Sequence, residues 1–217
     1  MSTTARDRAI LWARQILETD FVVLDTETTG LEYDAEVCQI GIVGKAGEIL
    51  LDQLVKPQRP IPDSATRLHG ITNEMVKDAP NFGHILVELN TMVDHPRTVL
   101  IYNKDYDQRI ILQSARACEI DYEAPWFAPH DWSGIGREHH PNQARWHCVM
   151  EWFAKFYGDW SDYRGNYRWQ KLTTAARYFG VSTQGAHGAV GDALMTLEVV
   201  KGMAASKLST EKGEETP

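Results

Sequence analysis

The chain has 217 residues, of which 43% are hydrophobic, so it can bury a large core within a single domain. Its 22 lysines and arginines stand against 30 aspartates and glutamates, which gives a formal net charge of -8. This balance excludes a broad basic face that would attract polyanions at long range. Any contact with nucleic acid is therefore expected to be local or to be carried by metal ions.

The cysteines and the apolar runs indicate the compartment. Cys38, Cys118 and Cys148 are scattered and form no CxxC pair, which favours a reducing compartment over a disulfide framework. The stretch "MSTTARDRAILWARQ" interrupts every apolar run with arginine or aspartate. Nowhere does an apolar run reach the roughly 18 residues that a membrane-spanning helix needs. We therefore expect neither a signal peptide nor a membrane span, and a cytoplasmic protein.

The first part of the chain predicts one helix followed by three strands. Apolar residues at positions 9, 12, 13, 16 and 17 have the spacing of an amphipathic helix. The run "FVVLD" comes next and predicts a buried strand. Two more apolar runs, "VCQIGIVG" and "EILLDQLVKP", are separated by "KAG", a short connection of the kind that joins antiparallel strands. Together these runs predict an antiparallel three-strand meander.

The second part of the chain alternates helices with one further strand, "TVLIY". Helical spacing recurs at residues 85–93, around residues 110–112, and in "VMEWFAKFYG", "KLTTAARYFG" and "AVGDALMTLEVV". This order indicates an α/β fold in which helices flank a mixed sheet. We expect one domain over residues 1–205. Residues 206–217 are polar and unpatterned, so we expect a disordered tail there.

Residues 120–147 lack a clear period and form an aromatic-rich insertion. Six of the seven tryptophans fall between residues 126 and 169. Because exposed tryptophan is costly in water, these rings either fill a small satellite core or stack on the bases of an incoming strand. A zinc site is an alternative, but irregular gaps and a single cysteine are unlike a structural zinc site. Its ligands would come from His130, His139, His140, His147 and Cys148.

The strand "FVVLD" runs directly into two acids, Asp25 and Glu27, with one threonine between them. Residues i and i+2 of a strand face the same way, so both carboxylates would project together from its end. Such like charges repel unless a cation lies between them, and hard cations such as Mg²⁺ prefer carboxylate oxygens. A polar turn at the end of a strand also often contains acids. The pair alone leaves both interpretations open.

Two later stretches place further polar residues at element boundaries. In "VLIYNKDYD", Asp107 follows a buried strand in the first turn of a predicted helix, where the helix dipole alone favours an acid. In "GAHGAVGDALMT", His187 stands five residues before Asp192. Five residues along a helix differ in direction by about 140°, so His187 must lie in the glycine-flanked loop for both to reach one point. Four carboxylates and one loop histidine together favour a shared site over separate structural roles.

This set of residues resembles the motifs of the DEDD exonucleases, in the subgroup that has histidine in its last motif. "DTETTGL" resembles the first motif, "YNKDYD" the second and "HGAVGD" the third. The segments "RLHGITNEMVKDAPNF" and "KLTTAARYFGV" are similar to segments of the proofreading subunits of bacterial replicative DNA polymerases, the DnaQ-like family. The resemblance covers residues 19–119 and 145–203.

The resemblance implies an RNase H-like fold and a 3'-5' exonuclease that hydrolyses the 3'-terminal phosphodiester of DNA with two divalent ions, Mg²⁺ or Mn²⁺. Asp25, Glu27, Asp107 and Asp192 would be the metal ligands, with Asp107 acting more remotely. His187 would be the general base, since imidazole can accept a proton near neutral pH. Bound cations would also allow an acidic protein to hold a polyanion.

The resemblance further implies a pocket for the terminal nucleotide. Thr28 and Leu31 follow the first motif, and Leu31 would act as an apolar wedge against the base. His69, Asn103 and Tyr106 occupy other positions that line the family's pocket. Core packing is the plain alternative for Leu31 and Tyr106.

The second motif departs from the family pattern. The family commonly has His-Asn followed by a small residue, whereas residues 102–105 here are Tyr-Asn-Lys-Asp. This changes the expected shape of the base pocket and leaves the metal ligands in place. The expected partners are single-stranded 3' ends of nucleic acid and, through the resemblance, a DNA polymerase or another replication or repair protein.

Two other functions are considered. A 3'-5' exoribonuclease that trims RNA ends would use the same residues, since only the 2'-hydroxyl separates the two substrates. A catalytically inactive, exonuclease-like binding module is disfavoured because all four carboxylates and the histidine are present. We recognise no basic cluster with interleaved aromatics, and therefore expect no separate nucleic-acid module.

Overall fold

The computed structural model describes residues 3–93, 97–120 and 145–210. Across these three ranges, the helices are too short or too polar for any of them to span a membrane. The elements are, in chain order, α1 Ala5–Leu17, β1 Phe21–Thr28, β2 Val37–Gly44, β3 Ile49–Leu54, α2 Asp63–His69, α3 Asn73–Val76, α4 Phe82–Val93, β4 Thr98–Ile101, α5 Lys104–Ala117, β5 Arg145–Cys148, α6 Val149–Tyr157, β6 Trp160–Ser161, β7 Asn166–Tyr167, α7 Leu172–Tyr178 and α8 Ala189–Ala205. The helices and strands predicted from apolar periodicity are all present.

Five strands form one mixed sheet in the order β3-β2-β1-β4-β5. β1, β2 and β3 pair antiparallel, whereas β4 lies parallel to β1 and β5 parallel to β4. This confirms the α/β fold and the three-strand meander that the sequence predicts. Because β1 and β4 are parallel neighbours, their carboxyl ends meet at the same edge of the sheet. Open sheets of this kind bind ligands outside that edge.

Strand β1 is buried between two cores. Phe21 and Val23 belong to the core under α1, α6, α7 and α8, whereas Val22 and Leu24 belong to the core under α4 and α5. Successive side chains of a strand point to opposite faces, so a strand that is covered on both faces needs apolar residues throughout. Each such burial contributes about 1.5–3 kcal/mol. The residues that follow Leu24 continue the same alternation.

The predicted insertion is wrong for its last residues, because Arg145–Cys148 form β5, an edge strand of the sheet. Trp146 packs against the core under α4 and α5. The four residues "RWHC" mix polar and apolar side chains, and they are too few to show a period. The other aromatic residues of the insertion, Trp126, Phe127 and Trp132, lie outside the described residues.

The predicted disordered tail is wrong for residues 206–210, which are held against α1. Ser209 donates to the Asp7 carboxylate from its backbone N–H at 2.8 Å and from its hydroxyl at 2.9 Å. Leu208 packs against the core under α1. The hydrogen bonds from Ser209 and from Thr4, the cap of α1, lower the pKa of Asp7 to about 2. Residues 211–217 lie outside the described residues.

Helix α8 begins directly on the backbone of β2. Gly41 has no Cβ, and a Cβ built there would lie 2.6 Å from backbone atoms of Ala189 and of Val190. Beside this contact, the backbone N–H of Ala189 donates to the side chain of Gln39 at 3.2 Å. The loop that precedes α8 therefore takes its position from β2.

We predict that Gly41→Ala lowers the free energy of unfolding by about 1–3 kcal/mol, because rotating a side chain cannot relieve a contact with backbone. Urea unfolding measures the loss. Gly188→Ala is the matched control: its Cβ would meet its nearest neighbour at 3.7 Å, and its φ is -137°. Its unfolding free energy should stay within about 0.5 kcal/mol of the wild type. A Gly41→Ala protein of wild-type stability would contradict the close seating of α8.

Candidate active site

Three carboxylates meet at the carboxyl end of β1. Asp25 and Glu27 continue the face of β1 that Phe21 and Val23 occupy, which is the face covered by α8. Helix α8 supplies Asp192 from its first turn. Each of the three acids offers one oxygen atom, and these atoms all lie within 4.8 Å of one another. The fold thus brings these three predicted residues together.

Asp107 approaches the same point from the other face of the sheet. It lies in the first turn of α5 and is 3% exposed. Its Oδ1 accepts hydrogen bonds from the backbone N–H and the hydroxyl of Thr26, at 3.1 and 2.7 Å. Thr26 stands between Asp25 and Glu27, so Asp107 is joined to the middle of the motif and is not one of the group of three. Sequence reasoning did not single out Thr26.

Burial and mutual repulsion raise the pKa of these carboxyl groups. Burial is the larger cause, and it raises the pKa of Glu27 to about 8. It raises the pKa of Asp107 to about 7, although the hydrogen bonds from Thr26 offset part of the rise. The pKa of Asp25 is raised well above its usual value by burial and then by the charges of the other three acids. Burial also raises the pKa of Asp192.

These residues fit a divalent cation. In the described part of the chain, no lysine or arginine forms an ion pair with any of the four carboxylates. Their repulsion is therefore not offset by a lysine or an arginine. Hard cations prefer carboxylate oxygens, and a cation at this position would lower the raised pKa values by favouring the charged forms.

His187 lies in the loop before α8, as the spacing to Asp192 predicts. Its φ is 66°, a left-handed conformation that is uncommon outside glycine. Its backbone N–H donates to the Asp192 carboxylate at 3.1 Å, and its side chain is exposed. The imidazole is therefore tied to the acidic group through its own backbone and remains accessible to solvent.

The loop after β1 is held by three of the residues predicted to bind substrate. The hydroxyls of Thr28 and Tyr106 lie 2.5 Å apart, and Tyr106 also donates to the carbonyl of Gly30 at 2.8 Å. Nδ1 of His69 accepts from the Ile71 N–H at 3.0 Å, so Nε2 carries the proton and donates to the Thr28 carbonyl at 3.2 Å. Burial lowers the pKa of His69. Tyr106 and His69 thus shape this loop.

The tip of the same loop is open to solvent. Leu31 is 75% exposed, which excludes core packing for this residue. Arg109 of α5 donates to the carbonyls of Leu31 and Glu32 at 3.2 and 3.4 Å. Asn103 is exposed where α5 begins. Sequence reasoning missed Arg109, since nothing in the pattern marks a helical arginine as a partner of this loop.

The zinc alternative finds no support among the described residues. Cys148 is buried in the core under α1, and His147 lies against a tryptophan ring of α1. The group of three carboxylates is the only cluster of potential metal ligands within the ranges that the structure describes. His130, His139 and His140 lie outside those ranges.

Known proteins are similar to the part of the chain that contains this site. The exonuclease family model RNase T matches residues 22–200. The uncharacterized exonuclease CP81 of Escherichia phage 186 is 37% identical over 204 residues, which cover 94% of this chain and 95% of the phage protein. The PolC-type DNA polymerase III of Caldanaerobacter subterraneus subsp. tengcongensis is 29% identical over 187 residues. That match covers 84% of this chain and 11% of the polymerase.

Solved structures share the fold. The zinc-bound complex of Escherichia coli ExoI with single-stranded DNA has a TM-score of 0.62 at 18% identity, over 84% of this chain and 40% of that chain. Exonuclease X in complex with 5' overhanging duplex DNA has a TM-score of 0.57 at 21% identity, over 88% of this chain and 96% of that chain. These similarities confirm the predicted RNase H-like architecture.

The raised pKa values predict how the metal-free protein responds to pH. A carboxyl group with a raised pKa keeps its proton in the folded state at a pH where the unfolded chain has lost it. The folded state then binds more protons, so stability falls as pH rises. We expect the melting temperature in EDTA to decrease as the pH rises from 4.5, the usual pKa of glutamate, to about 8, the pKa of Glu27.

Calorimetry on three proteins tests this expectation. Glu27→Gln removes one of the titrating groups, so its melting temperature should depend less on pH than that of the wild type. Asp78→Asn alters an exposed carboxylate and should follow the wild type. Adding Mg²⁺ should raise the wild-type melting temperature most at the alkaline end. A wild-type melting temperature that rises with pH in EDTA would contradict the proposed charge repulsion.

Proposed function

Since the chain belongs to the exonuclease family whose RNase T model spans residues 22–200, we propose that it is a 3'-5' exonuclease that hydrolyses the 3'-terminal phosphodiester of DNA. The observation that carries this proposal is the grouping of Asp25, Glu27 and Asp192 within 4.8 Å at the end of β1. Asp107 lies behind this group, and His187 is anchored to Asp192 beside it.

The four carboxylates would hold two divalent ions, which we propose to be Mg²⁺ with Mn²⁺ as a substitute. When bound, such ions offset the charge that develops on the attacking and leaving oxygens of a phosphodiester. Asp107 uses Oδ1 to accept from Thr26, so its other oxygen is the one available to the site. Because Thr26 fixes Asp107 and β1 fixes Asp25 and Glu27, these ligands need little reorganisation when substrate binds.

His187 would take the proton from the attacking water. Its backbone hydrogen bond to Asp192 keeps the loop beside the carboxylates, and its exposed ring can pass the proton to solvent after each cycle. Its left-handed backbone supports this role, since conformations of this kind cluster at functional sites.

The loop after β1 would receive the terminal nucleotide. The exposed apolar side chain of Leu31 suits contact with a base. Thr28, Tyr106 and His69 hold the backbone of this loop, and Asn103 is exposed where α5 begins, at the same edge of the sheet. These residues would place the scissile bond against the carboxylates, and positioning of this kind is a large part of catalysis.

DNA is the proposed substrate because the PolC-type relative is a DNA polymerase. The same similarity suggests a polymerase as a partner, although the match covers 11% of that protein. The phage exonuclease has almost the same extent as this chain, so this likeness is to a separate exonuclease and not to one domain of a polymerase. No observation in the described residues favours the exoribonuclease or the inactive binding module.

We predict that the purified protein with Mg²⁺ shortens 5'-labelled single-stranded DNA from its 3' end, and that EDTA abolishes the reaction. Asp25→Asn should abolish turnover and keep the fold, because it removes a proposed ligand and one of four repelling charges. Denaturing gels of DNA and of RNA of the same sequence record the products. Asp78→Asn is the control for loss of an exposed carboxylate and should retain activity.

Three outcomes would count against parts of this proposal. Shortening from the 5' end would contradict the polarity. Faster loss of RNA than of DNA would identify an exoribonuclease. Full activity of Asp25→Asn would exclude the proposed role of the carboxylates.

We predict that His187→Ala lowers kcat by about 10²–10⁴-fold, the usual contribution of positioned proton transfer. The Mg²⁺ concentration needed for half-maximal rate should change little. His84→Ala removes another exposed histidine, on α4, and is the matched control. A loss below tenfold for His187→Ala would place the base elsewhere.

A further inference from the structure

A separate two-stranded hairpin, formed by β6 and β7, lies between α6 and α7. We call residues 159–169 the aromatic hairpin. The backbone N–H of Arg164 donates to the carbonyl of Ser161 at 3.1 Å and closes the tip. An ion pair between Arg168 and Asp159 at 2.9 Å closes the base. The hairpin therefore has a defined conformation although its strands are only two residues long.

Among the described residues, two of its four aromatic rings have a ring partner and two have none. Trp160 and Tyr167 face each other across the strands, with ring centroids 5.0 Å apart and an interplanar angle of 75°. Tyr163 is 98% exposed and Trp169 is 64% exposed. Neither ring contacts another ring or forms a side-chain hydrogen bond within the described parts of the chain. Large apolar side chains grouped on a surface mark an interaction site.

Cations alternate with these rings. The order along the hairpin is Tyr163-Arg164, then Tyr167-Arg168-Trp169. The guanidinium of Arg164 forms no ion pair with any residue that the structure describes. The same residues line an open cleft of about 630 Å³. The segment thus places two arginines among its aromatic rings, and its two aspartates balance their charge.

The aromatic hairpin is tied by one hydrogen bond to the residue that directly follows β4. The carbonyl of Gln170, the residue directly after the hairpin, accepts a hydrogen bond from the Tyr102 hydroxyl at 2.8 Å. Tyr102 directly follows β4 and precedes Asn103, the cap of α5. Asp107 lies in the first turn of that helix. The exposed rings thus belong to a segment tied to the edge of the sheet that carries the carboxylates.

We propose that the aromatic hairpin binds the single-stranded part of the DNA substrate, upstream of the nucleotide that is removed. This inference rests on the proposed function, since it supplies the grip on the rest of the strand whose 3' end lies at the carboxylates. Tyr163 and Trp169 stack on bases, a contact that every base allows. Arg164 contacts a phosphate, which positions the strand without reading its sequence.

Single-stranded DNA is favoured over a protein partner by the combination of exposed rings with a neighbouring cation. The two aspartates of the hairpin are Asp162, at the tip, and Asp159, which is already paired with Arg168. The guanidinium of Arg164, which forms no ion pair in the described ranges, stands next to the exposed ring of Tyr163, the combination that single-strand binders use.

The test measures binding and turnover by the 217-residue chain. Binding of 5'-fluorescein-labelled dT15 is followed by fluorescence anisotropy in EDTA, where hydrolysis is blocked. We expect Tyr163→Ala and Trp169→Ala each to raise Kd about fivefold or more, the lower end of the range for loss of one stacked base. Tyr163→Phe keeps the ring and should bind like the wild type. Val87→Ala, an exposed apolar side chain on α4, is the remote control.

A second substrate separates this proposal from the proposed function. The p-nitrophenyl ester of thymidine 5'-monophosphate fills only the terminal site, so the loss of kcat/KM in Tyr163→Ala should be at least threefold smaller on this ester than on dT15. Wild-type protein that hydrolyses neither substrate with Mg²⁺ would refute the proposed function, while the anisotropy still decides the hairpin. Unchanged Kd for both alanine variants would overturn the hairpin proposal, whatever the activity. Equal losses on both substrates would overturn it as well.

Discussion

Repulsion among four carboxylates at the end of β1 is the constraint to which the surrounding structure is fitted. Burial strengthens this repulsion, and it raises the pKa of Glu27 to about 8 and that of Asp107 to about 7. The fold holds the acids in place by separating them across the sheet. Asp25 and Glu27 lie on the α8 side, whereas Asp107 lies on the α5 side and is fixed by Thr26. The charges themselves are left for a cation to neutralise.

Two cores provide the free energy that this arrangement requires. Each face of β1 packs against its own set of helices, so the strand cannot shift to relax the acids at its end. The start of α8 is equally constrained, because Gly41 brings the backbone of β2 against Ala189 and Val190. The position of Asp192 therefore follows from packing in the cores. Backbone strain at the site is confined to His187, whose backbone is left-handed.

The sequence pattern predicts those elements whose formation depends on residues close together in the chain. The apolar runs predict the meander, and the DxE spacing predicts that Asp25 and Glu27 share a face. The elements that sequence reasoning missed depend on distant contacts: β5 is four residues that become a strand only beside β4. Ser209 is ordered by Asp7, some 200 residues away in the chain. Arg109 holds the loop after β1, and the aromatic hairpin has strands of two residues, too short to show a period.

An acidic chain can bind a polyanionic substrate if the attraction arises at a few local contacts and not from the net charge of the protein. A protein that binds DNA through many lysine and arginine contacts releases many counterions, and its affinity falls steeply with salt. This chain has a net charge of -8, and on the aromatic hairpin one arginine, Arg164, forms no ion pair with the residues that the structure describes. Its grip would come from stacking, which involves no net charge, and from ions held by the carboxylates. Long-range attraction would then contribute little, and a strand would be held only where the carboxylates and the exposed rings can both reach it.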